Sequence, residues 1–190
     1  MDETNDIEVL DGVLTKAAGL IGGVQPEQRS LPTPCAAYDV RALMDHMVGW
    51  VQVFEAGSNL TEFPEDPGAY QCDDDPEAVF RVAAQGVVAG WSTHGRDRMV
   101  KVSSGESPGE MVFTMTLMEY LAHGWDLAVA TGQAVPFTEA EARLAFDRAQ
   151  GMLPDQYRGE GMPFGAVVEV PGDAPALDRM IGYMGRDPRG

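Results

Sequence analysis

The sequence predicts a mainly all-α protein: a four-helix bundle followed by an extra helix and a short C-terminal tail. Four long segments carry apolar residues at spacings of three and four, which is the pattern of a helix with one buried face. Hydrophobic residues make up 44% of the 190-residue chain, enough for one core. Several long helices in succession favour a bundle. The first two connections are long, so we expect at least one crossover between bundle neighbours.

Five helices follow from local start and stop signals. Asp39 and Asp75 are good N-caps for the second and third helices, because a short acidic side chain accepts from the free N–H groups of a first turn. Thr138 and Glu141 form a capping box at the start of the fifth helix. Gly132 ends the fourth helix. The expected spans are residues 5–21, 39–55, 75–95, 108–132 and 138–152.

The remaining segments are less regular. Residues 97–103 are expected to form a short extended segment, because apolar residues there are flanked by polar ones. The tail contains many glycines and prolines, with one strand expected near residues 167–170 and a last helix near residues 177–184. We therefore divide the chain into a helix bundle, residues 1–153, and a C-terminal tail, residues 154–190, packed on the bundle.

Charge and composition exclude several classes of function. Asp and Glu outnumber Lys and Arg by 30 to 13, and a net charge of -17 disfavours nucleic acid or an anionic membrane as partner. Residues 1–8 lack the features of a signal peptide, and no apolar run reaches the roughly 18 residues of a membrane span. Cys35 and Cys72 belong to no CxxC pair, so we expect reduced, structural thiols in a cytoplasmic protein.

The strongest chemical signal is a carboxylate and two imidazoles at helical positions. Glu119 and His123 are four residues apart in the apolar run 111–130, so they share one helix face. His46 lies at the edge of the buried face of the second helix. A divalent transition metal accepts these donors, and three protein ligands leave a position open for water or substrate. Zinc is favoured; nickel, iron and manganese accept the same set.

Simpler interpretations stay open. Glu119 and His123 could form an ordinary hydrogen-bonded pair, and His46 could be a core histidine with a satisfied ring. His94 is a rival third ligand, although a histidine in the last turn of the third helix is also explained by the helix dipole. Asp126 follows His123 by three residues, so it either orients that imidazole from outside the metal shell or pairs with a nearby arginine.

Two segments resemble the motifs of a known family. Residues 32–46, PTPCAAYDVRALMDH, are similar to the TPCxxWDVRxLxxH motif of the actinobacterial mycothiol-dependent maleylpyruvate isomerase-like proteins, which belong to the DinB-like superfamily. Residues 119–132, EYLAHGWDLAVATG, resemble their second motif, ExxxHxWDLAxATG. The tail resembles the short-tailed branch of this family, and the likeness extends over residues 7–188. Tyr38 stands where the family motif has tryptophan.

The resemblance implies a DinB-like four-helix bundle that holds a metal with one histidine from the second helix and an ExxxH pair from the fourth. Carried over by motif, the ligands are His46, Glu119 and His123. Characterised members use a low-molecular-weight thiol as cosubstrate, and the metal activates its sulfur. The isomerase itself has an additional C-terminal domain that contributes to activity. The tail here is too short to supply it, so maleylpyruvate isomerisation is not expected.

The resulting hypothesis is a divalent-metal-binding, thiol-dependent S-transferase or isomerase that acts on a small electrophile, with mycothiol as the thiol. The alternative is a non-catalytic metal-binding module for stress or interaction, and whether the protein is an enzyme is left open. The expected partners are a small-molecule substrate and the thiol, with no nucleic acid and no membrane. A homodimer is one option for the oligomeric state.

Overall fold

The structure is a computed structural model that describes residues 3–63, 65–72, 75–102, 105–153, 156, 158–159 and 164–189. Its described part is mainly all-α, as predicted, with six α-helices and one two-stranded sheet. The helices are α1 (Glu3–Gly22), α2 (Val40–Ser58), α3 (Pro76–His94), α4 (Gly109–Thr131), α5 (Glu139–Ala149) and α6 (Ala176–Tyr183). The strands are β1 (Met99–Val102) and β2 (Gly105–Pro108). Every described helix falls short of the length and apolar character that crossing a membrane requires.

The predicted capping residues set the helix ends. The Asp39 carboxylate accepts a hydrogen bond from the N–H three residues later at 2.8 Å, and Asp75 does the same at 3.0 Å. Thr138 and Glu141 exchange both hydrogen bonds of the predicted capping box. Gly132 follows α4 with φ 70°, a left-handed conformation that suits glycine at a helix end. Local signals therefore placed the helix boundaries to within a few residues.

The bundle is built so that α1 and α2 each pack mainly against α3 and α4. Helices α1 and α2 therefore lie diagonally across the bundle from each other, and so do α3 and α4, although each pair is consecutive in the sequence. The α1–α2 connection is a crossover, as the long loop after α1 indicated, and the α3–α4 connection is a second crossover that was not predicted. The other long connection, between α2 and α3, joins helices that pack together. The core contains large, fully buried side chains from all four helices, including Leu10, Leu14, Leu43, Met47, Phe54, Phe80, Trp91, Phe113, Leu117 and Tyr120.

Helix α4 has the most buried surroundings of the four. It packs against α1, α2 and the β-hairpin, and every residue from 120 to 128 is buried. A helix that is apolar on nearly all sides belongs in an interior. His123 and Asp126 lie inside this buried stretch, so their polar atoms need partners within the protein.

A hairpin precedes α4. The predicted extended segment contains β1, which pairs antiparallel with β2 so that Val102 lies opposite Gly105 and Met99 lies opposite Pro108. The second strand was not predicted, because glycine, serine and proline have low strand propensity and only the pairing with β1 makes them extended. The hairpin packs on α2 at Gly57, where a Cβ atom would lie 2.8 Å from a hairpin carbonyl oxygen.

Contacts divide the chain into two compact units, Met1–Val135 and Pro136–Gly190. In the second unit α5 packs against α6. The rings of Phe146 and Tyr183 meet edge to face at 5.8 Å, and the Tyr183 hydroxyl donates to the Ala149 carbonyl at 3.2 Å. The division predicted at residue 153, with the tail packed on the bundle, stays a prediction.

The strand expected near residues 167–170 is wrong. These residues form no strand, although the backbone is extended enough for Val168 N–H to donate to the Gly182 carbonyl at 2.9 Å. Val168 and Val170 are half-buried and lie against Gly182 of α6, so a helix end supplies the packing that a partner strand was expected to supply. The last helix lies where it was predicted, within one residue at each end.

Candidate metal centre

Three side chains from two helices converge in the first unit. His46 extends from α2, while Glu119 and His123 extend from α4. His46 Nε2 lies 2.5 Å from Glu119 Oε1, and His123 Nε2 lies 3.4 Å from the same oxygen. One donor atom of each residue lies within 4.8 Å of the other two. The structure therefore brings together all three residues that the sequence indicated as metal ligands.

A buried hydrogen bond fixes the relative position of the two helices at this point. The Tyr120 hydroxyl donates to the backbone carbonyl of Met47 at 3.1 Å. Burial raises the pKa of Tyr120 well above its usual value, so this hydroxyl keeps its proton and remains a donor. Because Tyr120 is adjacent to Glu119 and Met47 is adjacent to His46, the bond aligns the carboxylate with the imidazole of the neighbouring helix.

His123 is oriented by a buried carboxylate. Its Nδ1 lies 3.0 Å from Asp126 Oδ2, and Asp126 has no exposed surface. A carboxylate oxygen accepts, so Nδ1–H donates and the lone pair of the neutral ring is on Nε2, the nitrogen that faces Glu119. Of the two roles open for Asp126, this geometry is that of an outer partner that orients the imidazole.

His46 has an outer partner that the sequence did not single out. The Tyr38 hydroxyl lies 3.1 Å from His46 Nδ1, and the two rings are 4.8 Å apart at their centroids. Burial raises the pKa of Tyr38, and the negative charge of Glu119, joined by that of Cys35 once this thiol ionises, raises it further. The phenol therefore stays neutral at physiological pH. It accepts from Nδ1–H when His46 Nε2 binds a metal, and it donates to Nδ1 when Nε2–H donates to Glu119.

Access to the site is limited but open. The side chains of His46 and Glu119 are 17% and 21% exposed, and that of His123 is 10% exposed. The Glu119 carboxylate therefore keeps some contact with solvent, although most of its surface is covered by protein. A carboxylate in such surroundings is costly unless a cation or hydrogen-bond donors compensate its charge.

The donor set fits a divalent metal. Bonds of about 2.0–2.1 Å in a tetrahedral site place neighbouring ligand atoms about 3.3 Å apart. The 3.4 Å separation of His123 Nε2 from Glu119 Oε1 matches that geometry, whereas the 2.5 Å hydrogen bond from His46 would have to lengthen by about 0.8 Å. Two imidazole nitrogens and one carboxylate oxygen suit zinc, and they leave its fourth position to another molecule.

The rival ligand lies elsewhere. His94 is exposed in the last turn of α3 and belongs to neither group of metal-ligand atoms found among the described residues. The helix C-terminus accounts for it, because a histidine there interacts favourably with the helix dipole.

Cys35 is the residue whose position the sequence missed. It was expected to be structural, since no base or cation is adjacent to it in the sequence. Its sulfur instead lies near His123 and Asp126, with one donor atom of each of the three residues within 4.8 Å of the others. The loop fold that brings it there involves contacts between residues that local periodicity does not report.

Cys72 matches the structural expectation. Asp45 accepts from its backbone N–H at 2.7 Å, and Arg41 donates to its carbonyl at 2.8 Å. Burial, followed by the hydrogen bond to Asp45, raises the pKa of the Cys72 thiol to about 12. Neither Cys72 nor Cys35 forms a disulfide.

An aromatic wall flanks the imidazole of His46. The ring of Trp50 lies 6.2 Å from that of His46, one helical turn further along α2, and Phe54 follows at 5.8 Å from Trp50. Tyr38 lies on another side of the same imidazole. Aromatic rings therefore lie next to the imidazole of His46, beside the three donor atoms.

The family described as mycothiol maleylpyruvate isomerase N-terminal domain matches residues 10–128, well over half of the chain and all three converging side chains. The chain belongs to this family. Two proteins of Mycobacterium tuberculosis, from strains CDC 1551 / Oshkosh and ATCC 25618 / H37Rv, are each 31% identical over 176 residues. The aligned part covers 90% of this chain and 92% of each relative, and both relatives are described as uncharacterized. No solved structure matches the chain.

Membership in the mycothiol maleylpyruvate isomerase N-terminal domain family confirms the resemblance that the two motifs indicated. The family is associated with a metal and with mycothiol. The matched region ends within α4, directly after the stretch that carries Glu119, His123 and Asp126. The shared part is therefore the four-helix bundle and its converging donors.

Proposed function

We propose that the protein is a divalent-metal-dependent enzyme that uses a low-molecular-weight thiol, in keeping with its family mycothiol, as an S-transferase or isomerase of a small electrophile. The observation that supports this most is the convergence of His46, Glu119 and His123 on one partly open point. Each imidazole has an outer partner on Nδ1, so Nε2 is the nitrogen that faces the shared carboxylate oxygen. The family association with a metal and mycothiol supports the choice of thiol chemistry.

The position of each residue in the site determines its proposed role. A divalent ion held by His46, Glu119 and His123 would lower the pKa of a thiol at the open position, so that its sulfur is nucleophilic near neutral pH. Asp126 keeps the Nδ1 proton of His123 in place, which directs the Nε2 lone pair inward. With the ion bound, Tyr38 would do the same for His46 by accepting a hydrogen bond from its Nδ1–H.

The electrophile would occupy the aromatic side of the site. Trp50 and Tyr38 flank His46 and exclude water from the reacting sulfur without adding charge. A desolvated thiolate is the stronger nucleophile, and a flat electrophile can stack on the rings while its reactive carbon faces the open position. A reduced cellular thiol as cosubstrate also implies a cytoplasmic reaction.

Zinc is the proposed metal, since nitrogen and oxygen donors in a three-ligand set are typical of catalytic zinc sites. Nickel, iron and manganese accept the same donors, and the supply in the cell decides among them. Elemental analysis of protein purified without chelators, together with zinc titration of the stripped protein, measures both the identity and the stoichiometry.

The metal test compares substitutions of the three proposed ligands with the substitution of a histidine outside the site. His46→Ala, Glu119→Gln and His123→Ala are each expected to lose the bound ion, whereas His94→Ala is expected to keep about one ion per chain. His94 is the matched control, because it is exposed and outside both donor groups. Wild-type protein without stoichiometric metal after zinc titration would show that the three residues only hydrogen-bond to one another.

The activity test follows for the metal-loaded protein. Consumption of mycothiol, or of another cellular thiol, is measured with a panel of small electrophiles, in wild type and in Glu119→Gln. Turnover that depends on both the metal and Glu119 supports the enzyme. Stoichiometric metal without turnover of any thiol favours the alternative, a non-catalytic metal-binding module.

A further inference from the structure

A second set of metal-ligand atoms shares His123 with the first. Sγ of Cys35, a ring nitrogen of His123 and a carboxylate oxygen of Asp126 lie within 4.8 Å of one another. Asp126 Oδ2 lies 3.0 Å from His123 Nδ1, so an ion shared by Asp126 and His123 would bind at the Nδ1 edge, whereas Glu119 faces Nε2. Sulfur, nitrogen and oxygen donors at these separations are a metal-ligand set of a softer kind than the first.

A folded loop places Cys35 there. The Thr33 hydroxyl lies 3.0 Å from the Cys35 carbonyl and 2.8 Å from the Tyr38 carbonyl, and Tyr38 N–H donates to the Cys35 carbonyl at 3.0 Å. An isolated bridge joins Pro32 to Asp39 across the base of the loop. The position of the sulfur is therefore set by the backbone and not by a flexible side chain alone.

Burial gives this set one direction of entry. Asp126 is fully buried and His123 is nearly so, while Cys35 is only partly buried. An ion arriving from solvent would meet the thiol first and the two buried donors behind it. A thiolate is the donor that soft ions such as Cd²⁺, Hg²⁺ and Cu⁺ prefer over carboxylate and water.

We propose that Cys35, His123 and Asp126 form a second metal site, selective for thiophilic ions, that excludes occupancy of the first. Binding releases the Cys35 thiol proton to solvent. The Nδ1 proton of His123 moves to Nε2, where Nε2–H donates to Glu119, so Nδ1 can bind the ion. Nε2 is then no longer a ligand for the His46–Glu119–His123 set. A captured soft ion therefore disables the metal centre.

The experiment uses Cd²⁺ with the full-length protein after removal of other metals. Thiolate-to-cadmium charge-transfer absorption in the ultraviolet is recorded during titration, and bound Cd²⁺ is counted by equilibrium dialysis. Wild type is expected to show the absorption with one ion bound in total. Cys35→Ser is expected to lose it, and Cys72→Ser, the matched thiol control, is expected to keep it.

His46→Ala separates the second site from the first. It removes a ligand of the first set and none of the second, so the Cd²⁺ charge-transfer absorption should persist in this variant. Absorption that survives Cys35→Ser, or that disappears with His46→Ala, would overturn the proposal, the latter because Cys35 would then complete the first site. Two Cd²⁺ ions bound at once to wild type would overturn the exclusion. Circular dichroism checks that each variant is folded.

Discussion

Two clusters of charged side chains lie in the same bundle and are compensated differently. In one, Arg96 places two guanidinium nitrogens 3.4 Å from Asp6 Oδ2 and a third 3.2 Å from Glu110 Oε1, with its carbon 4.3 Å above the Phe113 ring. In the other, Glu119 meets two imidazoles. The first cluster contains a permanent cation, whereas the charge of the second depends on protonation or on an ion.

The difference shows which buried charges are structural and which suit a ligand. Asp6 is 1% exposed and Arg96 is 5% exposed, so their ion pair is buried. The Arg96 guanidinium supplies the positive charge that a metal would otherwise have to supply. Glu119 is 21% exposed, and the Nε2 atoms of both imidazoles face the same Oε1 atom. Removing the cation should therefore affect folding at the first cluster, and removing a donor should affect binding at the second.

The largest expected effect is on stability, at Arg96. Arg96→Met leaves the Asp6 carboxylate buried without its guanidinium, which we expect to cost about 3–5 kcal/mol of unfolding free energy. Urea denaturation followed by circular dichroism measures it. Zinc affinity should be unchanged in the folded fraction, since the metal centre shares no residue with this cluster.

A double variant tests the cause. Asp6→Asn combined with Arg96→Met removes both charges, so it should regain a large part of the stability that Arg96→Met loses. A double variant no more stable than the single one would mean that Arg96 acts through packing on Phe113 and not through the carboxylate.

The next effect is on metal affinity, at Asp126. Asp126→Asn keeps the shape of the side chain and removes the negative charge that holds the Nδ1 proton of His123. We expect zinc affinity to fall about 10- to 100-fold, as for other outer partners of metal-bound histidines. Competition with a chromophoric chelator measures it, and the exposed Asp147→Asn is the matched control. Affinity within twofold of wild type would contradict the orienting role.

Both clusters were only partly predictable from sequence, for a physical reason. Glu119 and His123 share a helix turn, so their spacing predicts their proximity, and the capping residues predict the helix that carries them. His46 joins them through the packing of α2 on α4, which its place at the edge of a buried stripe indicated. The Arg96 cluster joins a loop to α1 and α4 across 90 residues, and no local spacing reports it.

The loop geometry and the strand pairing of this structure could not be predicted from the sequence. Cys35 and Tyr38 reach the metal centre through the hydrogen bonds of Thr33 inside a short loop. The second strand of the hairpin exists only because β1 pairs with it, and the tail segment 165–170 lacks such a pairing. Contacts of this kind depend on tertiary structure and override local propensity.

A smaller effect is expected at Tyr38. Tyr38→Phe keeps the ring but removes the hydroxyl that hydrogen-bonds to His46 Nδ1. We therefore expect about a tenfold loss of zinc affinity. Tyr38→Trp should lose a similar amount, because an indole N–H donates and cannot accept from Nδ1–H. Isothermal titration measures both, with Tyr70→Phe as the control. Wild-type affinity in Tyr38→Phe would assign the residue to packing alone.

The smallest expected effect is on the pH dependence of stability, at the Cys72 thiol. The pKa of Cys72 is raised to about 12 in the folded protein, from about 9 when exposed. Well below pH 9 the Cys72 thiol is protonated in both states, so its ionisation does not change stability with pH. Between pH 9 and 12 the unfolded state ionises first, so stability falls, by less than about 1 kcal/mol at pH 9.5. Urea denaturation at pH 8 and 9.5 measures it, and Cys72→Ala should lessen the loss.

Alkylation separates the two thiols more directly. At pH 8 the buried Cys72 thiol is protonated, and Asp45 and Arg41 hold the backbone around it, so iodoacetamide should modify it only after unfolding in urea. Cys35 is partly exposed and should react in the native protein. Peptide mass spectrometry identifies the site, and bound Cd²⁺ should protect Cys35 alone. Equal alkylation rates of Cys35 and Cys72 in the native protein would mean that the loop around Cys72 opens as readily as the metal centre. The two thiols would then not differ in accessibility as the two charged clusters do.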